Sequence, residues 1–254
     1  MDIVTWNVNS LRARMPRVIE FLSDRKPDVV CLQETKVVDE LFPLEPLEKL
    51  GYSVAFHGQK TYNGVAILSR VGLEDVQRGM PDDEEGAQAR VIAATVDDVL
   101  LLNLYVVNGK EVGDAKFTFK LDWMERVTRM IEDRYDMGEK VVITGDFNVT
   151  FDDRDVYDPD KWRDKIHCSQ PERDALKAMM KPGLVDAFRH FEQEAGHYTW
   201  WDFRTRGFQR GNGLRIDHFL VSDPVLSSAT GVRIDLDMRG GEKPSDHAPV
   251  ILSV

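Results

Sequence analysis

The sequence predicts an α/β protein built as a four-layer sandwich, two packed mixed β-sheets flanked by helices. Three observations lead there. Strand-like apolar runs dominate both halves of the 254 residues, each half also contributes amphipathic helices, and the two kinds of element do not alternate in strict βαβ order. No low-complexity stretch, linker or repeat divides the chain, so residues 1–254 read as a single domain.

The elements follow from local pattern. Asp2-Ile3-Val4-Thr5 opens a strand, and Ser10 to Arg25 forms an amphipathic helix with Leu11, Val18, Phe21 and Leu22 near one face. Asn9 or Ser10 would cap it and Pro27 stops it. A strand at 28–33 is followed by a short helix near Leu44–Leu50 that ends at Gly51. Residues 52–57, 64–70, 91–96 and 99–106 are rich in Val and Ile and read as strands, with Asp97-Asp98 as a hairpin turn. Asp114 to Asp136 is the longest helix, because Phe117, Leu121, Met124, Val127, Ile131 and Tyr135 recur at three- and four-residue steps. After a strand at 140–145, residues 149–170 are polar and irregular, long enough to suggest a functional loop. A helix from Glu172 to Met180 and strands near 198–202, 214–222, 229–235 and 248–253 complete the chain.

Composition excludes several classes. No run approaches the about 20 apolar residues of a membrane span, and the opening at Asp2-Ile3-Val4-Thr5, without a charged and then apolar leader pattern, predicts that the protein is not secreted. Cys31 lies in an apolar strand and Cys168 in a polar loop, a pattern that suits a reducing cytoplasm without disulfides. The net charge of −11 lacks the basic footprint usual for nucleic-acid enzymes. The charge is uneven, however. Residues 74–98 hold eight acids against Arg78 and Arg90, while 201–216 carries Arg204, Arg206, Arg210 and Arg215 against Asp202. Either run alone is ordinary solvated surface.

Short polar clusters close the apolar strands. Asn7 and Asn9 follow Ile3-Val4, Glu34 follows Val29–Gln33, Asp146 and Asn148 follow Val141–Thr144, Asp217 follows Ile216, and Asp246-His247 precedes the last strand. Such groups at the ends of several strands make a site only when a fold gathers them. Oxygen ligands such as Glu34 suit magnesium, which takes one or two carboxylates and keeps waters for a phosphate. Asp146 and Asn148, alternating on an extended segment, would face one side. There the carboxylate could take a proton from water that the amide positions. Asp217 and His247 make an orienter–imidazole pair whose charged form can face a phosphate. His247 before Pro249 would by itself be an ordinary loop histidine; the order of all five clusters argues otherwise. There is no Cys/His zinc spacing, phosphate-binding Gly-rich loop or serine-hydrolase elbow, which leaves metal-assisted phosphodiester hydrolysis.

Trp6-Asn7-Val8-Asn9, Leu32-Gln33-Glu34-Thr35-Lys36, Tyr62-Asn63-Gly64-Val65-Ala66, Asn103-Leu104-Tyr105, Gly145-Asp146-Phe147-Asn148, Gly213-Leu214-Arg215-Ile216-Asp217 and Ser245-Asp246-His247-Ala248-Pro249 together resemble the exonuclease III family of DNA-repair nucleases. The likeness runs from Asp2 to Val254. It implies a DNase I-like four-layer sandwich, Mg²⁺ or Mn²⁺, and cleavage of duplex DNA at abasic sites or 3′ termini to leave a 3′-hydroxyl, by a cytoplasmic monomer. It also implies roles. Glu34 would bind the metal with Asn9 and Asp246 near it. Asp146 would activate water, with Asn7 and Asn148 orienting groups around it. Tyr105 and His247 would contact the scissile phosphate, and Asp217 would hold His247. Trp200, Leu214 and Ile216 would line a pocket for a flipped abasic sugar, and Lys36, Tyr62 and Asn108 would lie along the DNA backbone.

Two departures qualify the likeness. Asn9 stands where some relatives carry an acid, which weakens a second metal position. His167 falls in the irregular loop, where an imidazole would fill space otherwise open to the abasic sugar and could contact a terminal phosphate. The family that the chain resembles includes members with such a histidine that favour trimming blocked 3′ ends over cutting at abasic sites, and that resemblance leans the reading toward 3′-end processing. The rival readings are a phosphatase or phosphodiesterase acting on small esters or lipid headgroups, which needs neither Trp200 nor the arginines, and a non-catalytic DNA-binding module, which needs no water-activating carboxylate. Replacement of Asp146→Asn is therefore expected to cut turnover by roughly 10²–10⁴-fold while largely sparing DNA binding; parallel assays of cleavage and binding check this, and equal loss of both would make Asp146 structural.

Overall fold

Side-chain parity along the strands decides what each face meets. In β1 (Asp2–Asn7), Val4 and Trp6 join the cluster of Phe21 and Leu22 on the helix Leu11–Arg25, while Ile3 turns toward the opposite sheet. A computed structural model describing all 254 residues shows this alternation throughout. One sheet holds β1, β2 (Val29–Gln33), β3 (Ser53–His57), β4 (Val65–Ser69), β11 (Gly231–Ile234) and β12 (Val250–Ser253), in the order β11-β12-β1-β2-β4-β3. The other holds β5 (Glu74–Arg78), β6 (Val91–Val96), β7 (Val99–Tyr105), β8 (Val141–Asp146), β9 (Val185–Asp186) and β10 (Asp217–Val221), in the order β5-β6-β7-β8-β10-β9. The pairs β1–β2 and β7–β8 are parallel and the rest antiparallel, so both sheets are mixed.

Each parallel pair is bridged by one of the two long helices, Leu11–Arg25 and Ala115–Arg134. Ile3, Cys31, Ile67, Leu101, Val142 and Phe219 fill the space between the sheets. Trp123, Met124, Val127, Leu176 and Met179 cover the outer face of the second sheet from the helices Ala115–Arg134 and Gln170–Met180. The layers are therefore helix, sheet, sheet, helix, as the sequence predicts. No helix is long and apolar enough to cross a membrane.

The departures have physical causes. Neither Asn9 nor Ser10 caps the first helix with its side chain; Ser10 has φ 89° and the Asn9 amide is turned toward Asp246. Residues 198–202 form isolated bridges, Trp200 with Leu214 and with His247, and no strand. β5 escaped detection because it is an acidic edge strand in which only Val76 is half-buried. Cys168 is buried beside Val156, Leu214 and Ile216, with Thr150 Oγ1 donating to its Sγ at 3.5 Å. Both cysteines are free.

Polar networks tie these parts together. The Asn103 amide of β7 donates to Leu32 O at 3.0 Å and Ala66 O at 2.9 Å, and its oxygen accepts from Gln33 Nε2 at 2.7 Å, crossing from one sheet to the other. Arg215, which the sequence groups with the solvated arginines of 201–216, is buried instead between Asp155 (Nε–Oδ1 2.8 Å) and Asp186 (Nη2–Oδ2 2.7 Å). Removing one partner from such a buried pair costs about 3–5 kcal/mol. His218 completes the network, its Nδ1 facing Arg215 Nη1 at 3.0 Å and its Nε2–H donating to Val149 O at 2.7 Å. Burial and the neighbouring Arg215 push His218 down to about 4, so the folded chain holds it neutral. An unfolded histidine binds a proton near pH 6.5, so this group's stabilisation is full above pH 6.5 and is lost as the pH falls toward 4. Thermal unfolding of wild type and His218→Gln across that range should show the Tm gap shrinking with acid; a constant gap would contradict a buried neutral ring.

Candidate active site

The inward parity that buries Ile3, Cys31, Leu101, Val142 and Phe219 between the sheets also aims Asn7, Gln33, Tyr105, Asp146 and Asp217 at the seam. Tyr105, Asp146 and Asp217 lie in one row across β7, β8 and β10, because Tyr105 pairs with Asp146 in the parallel register and Asp146 with Asp217 in the antiparallel one. Gly145 permits this row. Its φ is 141° and a Cβ there would lie 1.9 Å from Leu104 O, so no side chain fits.

Asn7 joins the sheets at the site. Its Nδ2 donates to Glu34 Oε1 at 3.0 Å and to Asp146 Oδ2 at 2.9 Å, and its oxygen accepts from Asn9 N at 2.9 Å. Asp146 Oδ1 accepts from the backbone N of Asn148 at 2.9 Å, and the Asn148 amide donates to Val106 O at 3.0 Å and to Asp146 Oδ2 at 3.3 Å. The two side chains do meet, but through a turn with Asn148 at φ 51°, not through the extended alternation the sequence suggested. His247 Nδ1 lies 2.9 and 3.1 Å from the two oxygens of Asp217, and its Nε2 lies 3.7 Å from Asp146 Oδ2. All three side chains are buried.

The charges act on one another strongly. Burial raises Asp146, with Asp217 and Glu34 adding to it against His247 and Asn7, up to about 7. Burial opposes the charged form of His247, but Asp217, Asp146 and Asp246 outweigh it and push the ring up to about 10, so it is an imidazolium at neutral pH. The donor atoms of Asp146, Asp217 and His247 lie within 4.8 Å of one another, a buried acidic and histidine cluster that could hold a metal. Burial raises Tyr105, aided by Glu34 and Asp146, and keeps the phenol neutral. Burial disfavours the Glu34 carboxylate, yet Lys36 holds it below its usual range; for Asp246 the same opposition comes from His247, Asn9 and Trp200.

Glu34, Asn9 and Asp246 are close together. Lys36 Nζ sits 2.7 Å from Glu34 Oε2 and 2.6 Å from Asn9 Oδ1, while Asp246 accepts from Asn9 Nδ2 at 2.9 Å and from Trp200 Nε1 at 3.1 Å. The donors are all hard oxygens, and an ammonium already lies between two of them, so the chemistry of the cluster could hold a metal cation.

The remaining residues are placed unevenly. Leu214 and Ile216 are buried beneath Trp200 and offer a floor, not a wall, to any pocket. Asn108 is exposed and donates to Asn148 Oδ1 at 3.2 Å, and Tyr62 is 68% exposed, next to Asn63, whose carbonyl accepts from Lys36 N at 2.9 Å. His167 is buried between Trp162 and Trp200, with ring centroids 6.5 and 6.1 Å away, and its Nδ1–H donates to Asn148 O at 2.6 Å. Burial and the nearby Lys120 push it down to about 4, so it is neutral.

Two participants escaped the sequence reading. Lys120, wholly buried, donates to Asn148 O at 2.8 Å and to Asn108 O at 3.3 Å and pairs with Glu172. Arg90 lies 4.7 Å over the Tyr105 ring and donates to Tyr105 O at 3.1 Å. A lysine on the apolar stripe of a helix and an arginine ending an acidic run were the available signals.

Carboxylates, amides and one imidazolium gathered at the seam of a two-sheet sandwich form the kind of site that hydrolyses phosphoesters. The chain belongs to the Endonuclease/Exonuclease/phosphatase family, which it matches over residues 4–247. It is 37% identical to exodeoxyribonuclease III of Haemophilus influenzae, with 98% of each chain covered. Among solved structures it resembles a Neisseria 3′ phosphatase, NExo, bound to a product DNA hairpin, at 45% identity and a TM-score of 0.96, covering 100% of this chain and 98% of the other. An AP endonuclease of Archaeoglobus fulgidus is 36% identical with a TM-score of 0.96, covering 99% and 98% of the two chains.

Proposed function

We infer that this chain is a metal-dependent DNA-repair phosphodiesterase of exonuclease III type, a hydrolase that removes nucleotides or blocking phosphates from 3′ termini of duplex DNA. The observation that carries this reading is Asp146, a buried carboxylate with a raised pKa, framed by the Asn7 and Asn148 amides and facing an imidazolium. Family membership and the relatives named above support it.

In this reading, Asp146 removes the proton from a water that attacks phosphorus, the bond from phosphorus to the 3′ oxygen breaks, and the departing 3′ oxygen takes a proton from solvent to become a 3′-hydroxyl. The His247 imidazolium donates from Nε2 to the phosphoryl oxygens, where charge develops in the transition state, while the Asn148 amide holds Asp146 in place. Asp217 keeps His247 charged and correctly turned. The neutral Tyr105 phenol provides another donor. A magnesium ion, or manganese, would be held by Glu34 with Asn9 and Asp246 nearby, and when bound it supplies Lewis-acid help at a phosphate oxygen.

His167 supports the preference for 3′ ends. Its ring lies between Trp162 and Trp200, which themselves pack against Leu214 and Ile216, where an abasic sugar would otherwise enter. Because Nδ1–H is committed to Asn148 O, the free Nε2 meets a terminal phosphate only after gaining a proton, which the phosphate's own charge favours.

A set of duplexes with an internal abasic site, a recessed 3′ end and a 3′-phosphate nick, assayed with magnesium and with chelator, tests the function. Metal-dependent removal of 3′ groups with little abasic cutting is expected. Turnover of small phosphate esters alone would favour a headgroup phosphatase. Replacement of His167→Ser should raise abasic cutting relative to 3′ trimming in the same assay, and an unchanged ratio would remove His167 from specificity.

A further inference from the structure

Four arginines are buried in this protein, and three of them are hydrogen-bonded within it. Arg215 and Arg189 meet Asp155, and Arg90 meets Gln88 and Tyr105 O. Arg239 is the exception. It is 4% exposed, its guanidinium makes no hydrogen bond or ion pair with the chain, and its Nε is shielded from solvent without a partner. A buried charge without a partner is costly, and each such group calls for an explanation.

The surroundings give one. The Arg239 guanidinium lies 4.8 Å from the ring centroids of Phe203 and Phe208 and 5.8 Å from that of Trp201. These faces fix the plane of the fork and exclude water while leaving its N–H groups unused. The group borders a cavity of about 430 Å³ shared with Arg206, Gln209 and the Gly240–Gly241 backbone, and no carboxylate lines it. The cavities beside Arg163 and Arg126 differ in this respect, since Asp153 and Asp164 line the first and Asp82 and Asp83 the second. Arg206 is exposed and forms no ion pair, unlike Arg204, which meets Asp202 at 3.3 Å. Arg17 donates to Met238 O at 3.2 Å and Gly240 O at 3.1 Å, which keeps the floor of the cavity in place. Pro244, on the cavity wall, is two residues from Asp246, so the cavity adjoins the catalytic cluster.

We propose that Arg239 and Arg206 form an oxyanion pocket that takes a backbone phosphate of the DNA strand, next along the chain from the phosphate under attack. The planar fork suits two phosphate oxygens. Such a contact positions the duplex without reading sequence. It also gives a chain of net charge −11 a local basis for holding DNA. The assignment of the occupant rests on the nuclease reading above; the anion pocket itself does not.

The test measures duplex binding by anisotropy in chelator across a range of salt, for the full chain, R206A and R239K. R206A lies on the surface and checks the idea even if R239K lowers Tm. Both variants are expected to bind several-fold more weakly, and R206A should flatten the slope of log K against log salt by about 0.9, the loss of one phosphate contact. Wild-type affinity and slope in both variants would overturn the pocket. A wild-type chain that binds no duplex would refute the nuclease reading and the DNA occupant with it. In that case, titration with inorganic phosphate, followed by the Arg239 Nε–H resonance, decides the pocket: a shift abolished in R206A upholds it, and no shift overturns it.

Discussion

The amide of Asn7 donates to two carboxylates that belong to different sheets, Glu34 at the end of β2 and Asp146 at the end of β8. A site assembled this way exists only while the two sheets hold a fixed offset. The polar crossing from Asn103 to Gln33, Leu32 and Ala66 lies one strand turn below and fixes that offset where apolar packing alone would allow sliding. Hydrophobic burial brings the sheets together, and these few directional bonds set their register.

The site is unfavourable in itself. Asn9, Ser10, Glu34, Lys36, Asn148 and His167 all take positive φ, a conformation that costs an L-residue energy and persists only when its surroundings enforce it. Four acids converge on Lys36 and His247 as the nearby cations. Pairs remote from the seam hold the loops in these conformations. Lys120 and Glu172 fix the Asn148 carbonyl and the His167 backbone, and Arg215 with Asp155 and Asp186 anchors the segment that leads into Asp217. The rigidity of the catalytic cluster is thus supplied from outside it.

Much of this was readable in the sequence because it follows from period and residue type. Apolar runs marked most strands, and the polar groups that close them mark the seam, so Asn7, Glu34, Asp146, Asp217 and His247 could be named together. What escaped depends on partners distant in the chain. Arg215 looks like one of a solvated run of arginines until Asp155 and Asp186 are seen around it. Asn9 looks like a helix cap until Asp246 claims its amide. The acidic strand β5 lacks the apolar alternation that marks a buried strand, and His167 gives no sign in its own neighbourhood that Trp162 and Trp200 enclose it.

The pairing of β1 has a consequence for how the chain matures. In its sheet β1 lies between β2 and β12, so Asp2 pairs opposite Ser253 and one edge of β1 stays open until the last strand is made. Contacts so far apart in sequence slow folding, and an unpaired strand edge invites association with other chains. His247 stands only three residues before β12. Until β12 pairs with β1, nothing holds His247 beside Asp217 and Asp146. The pairing that closes this sheet edge is therefore the same one that sets the imidazolium in the site.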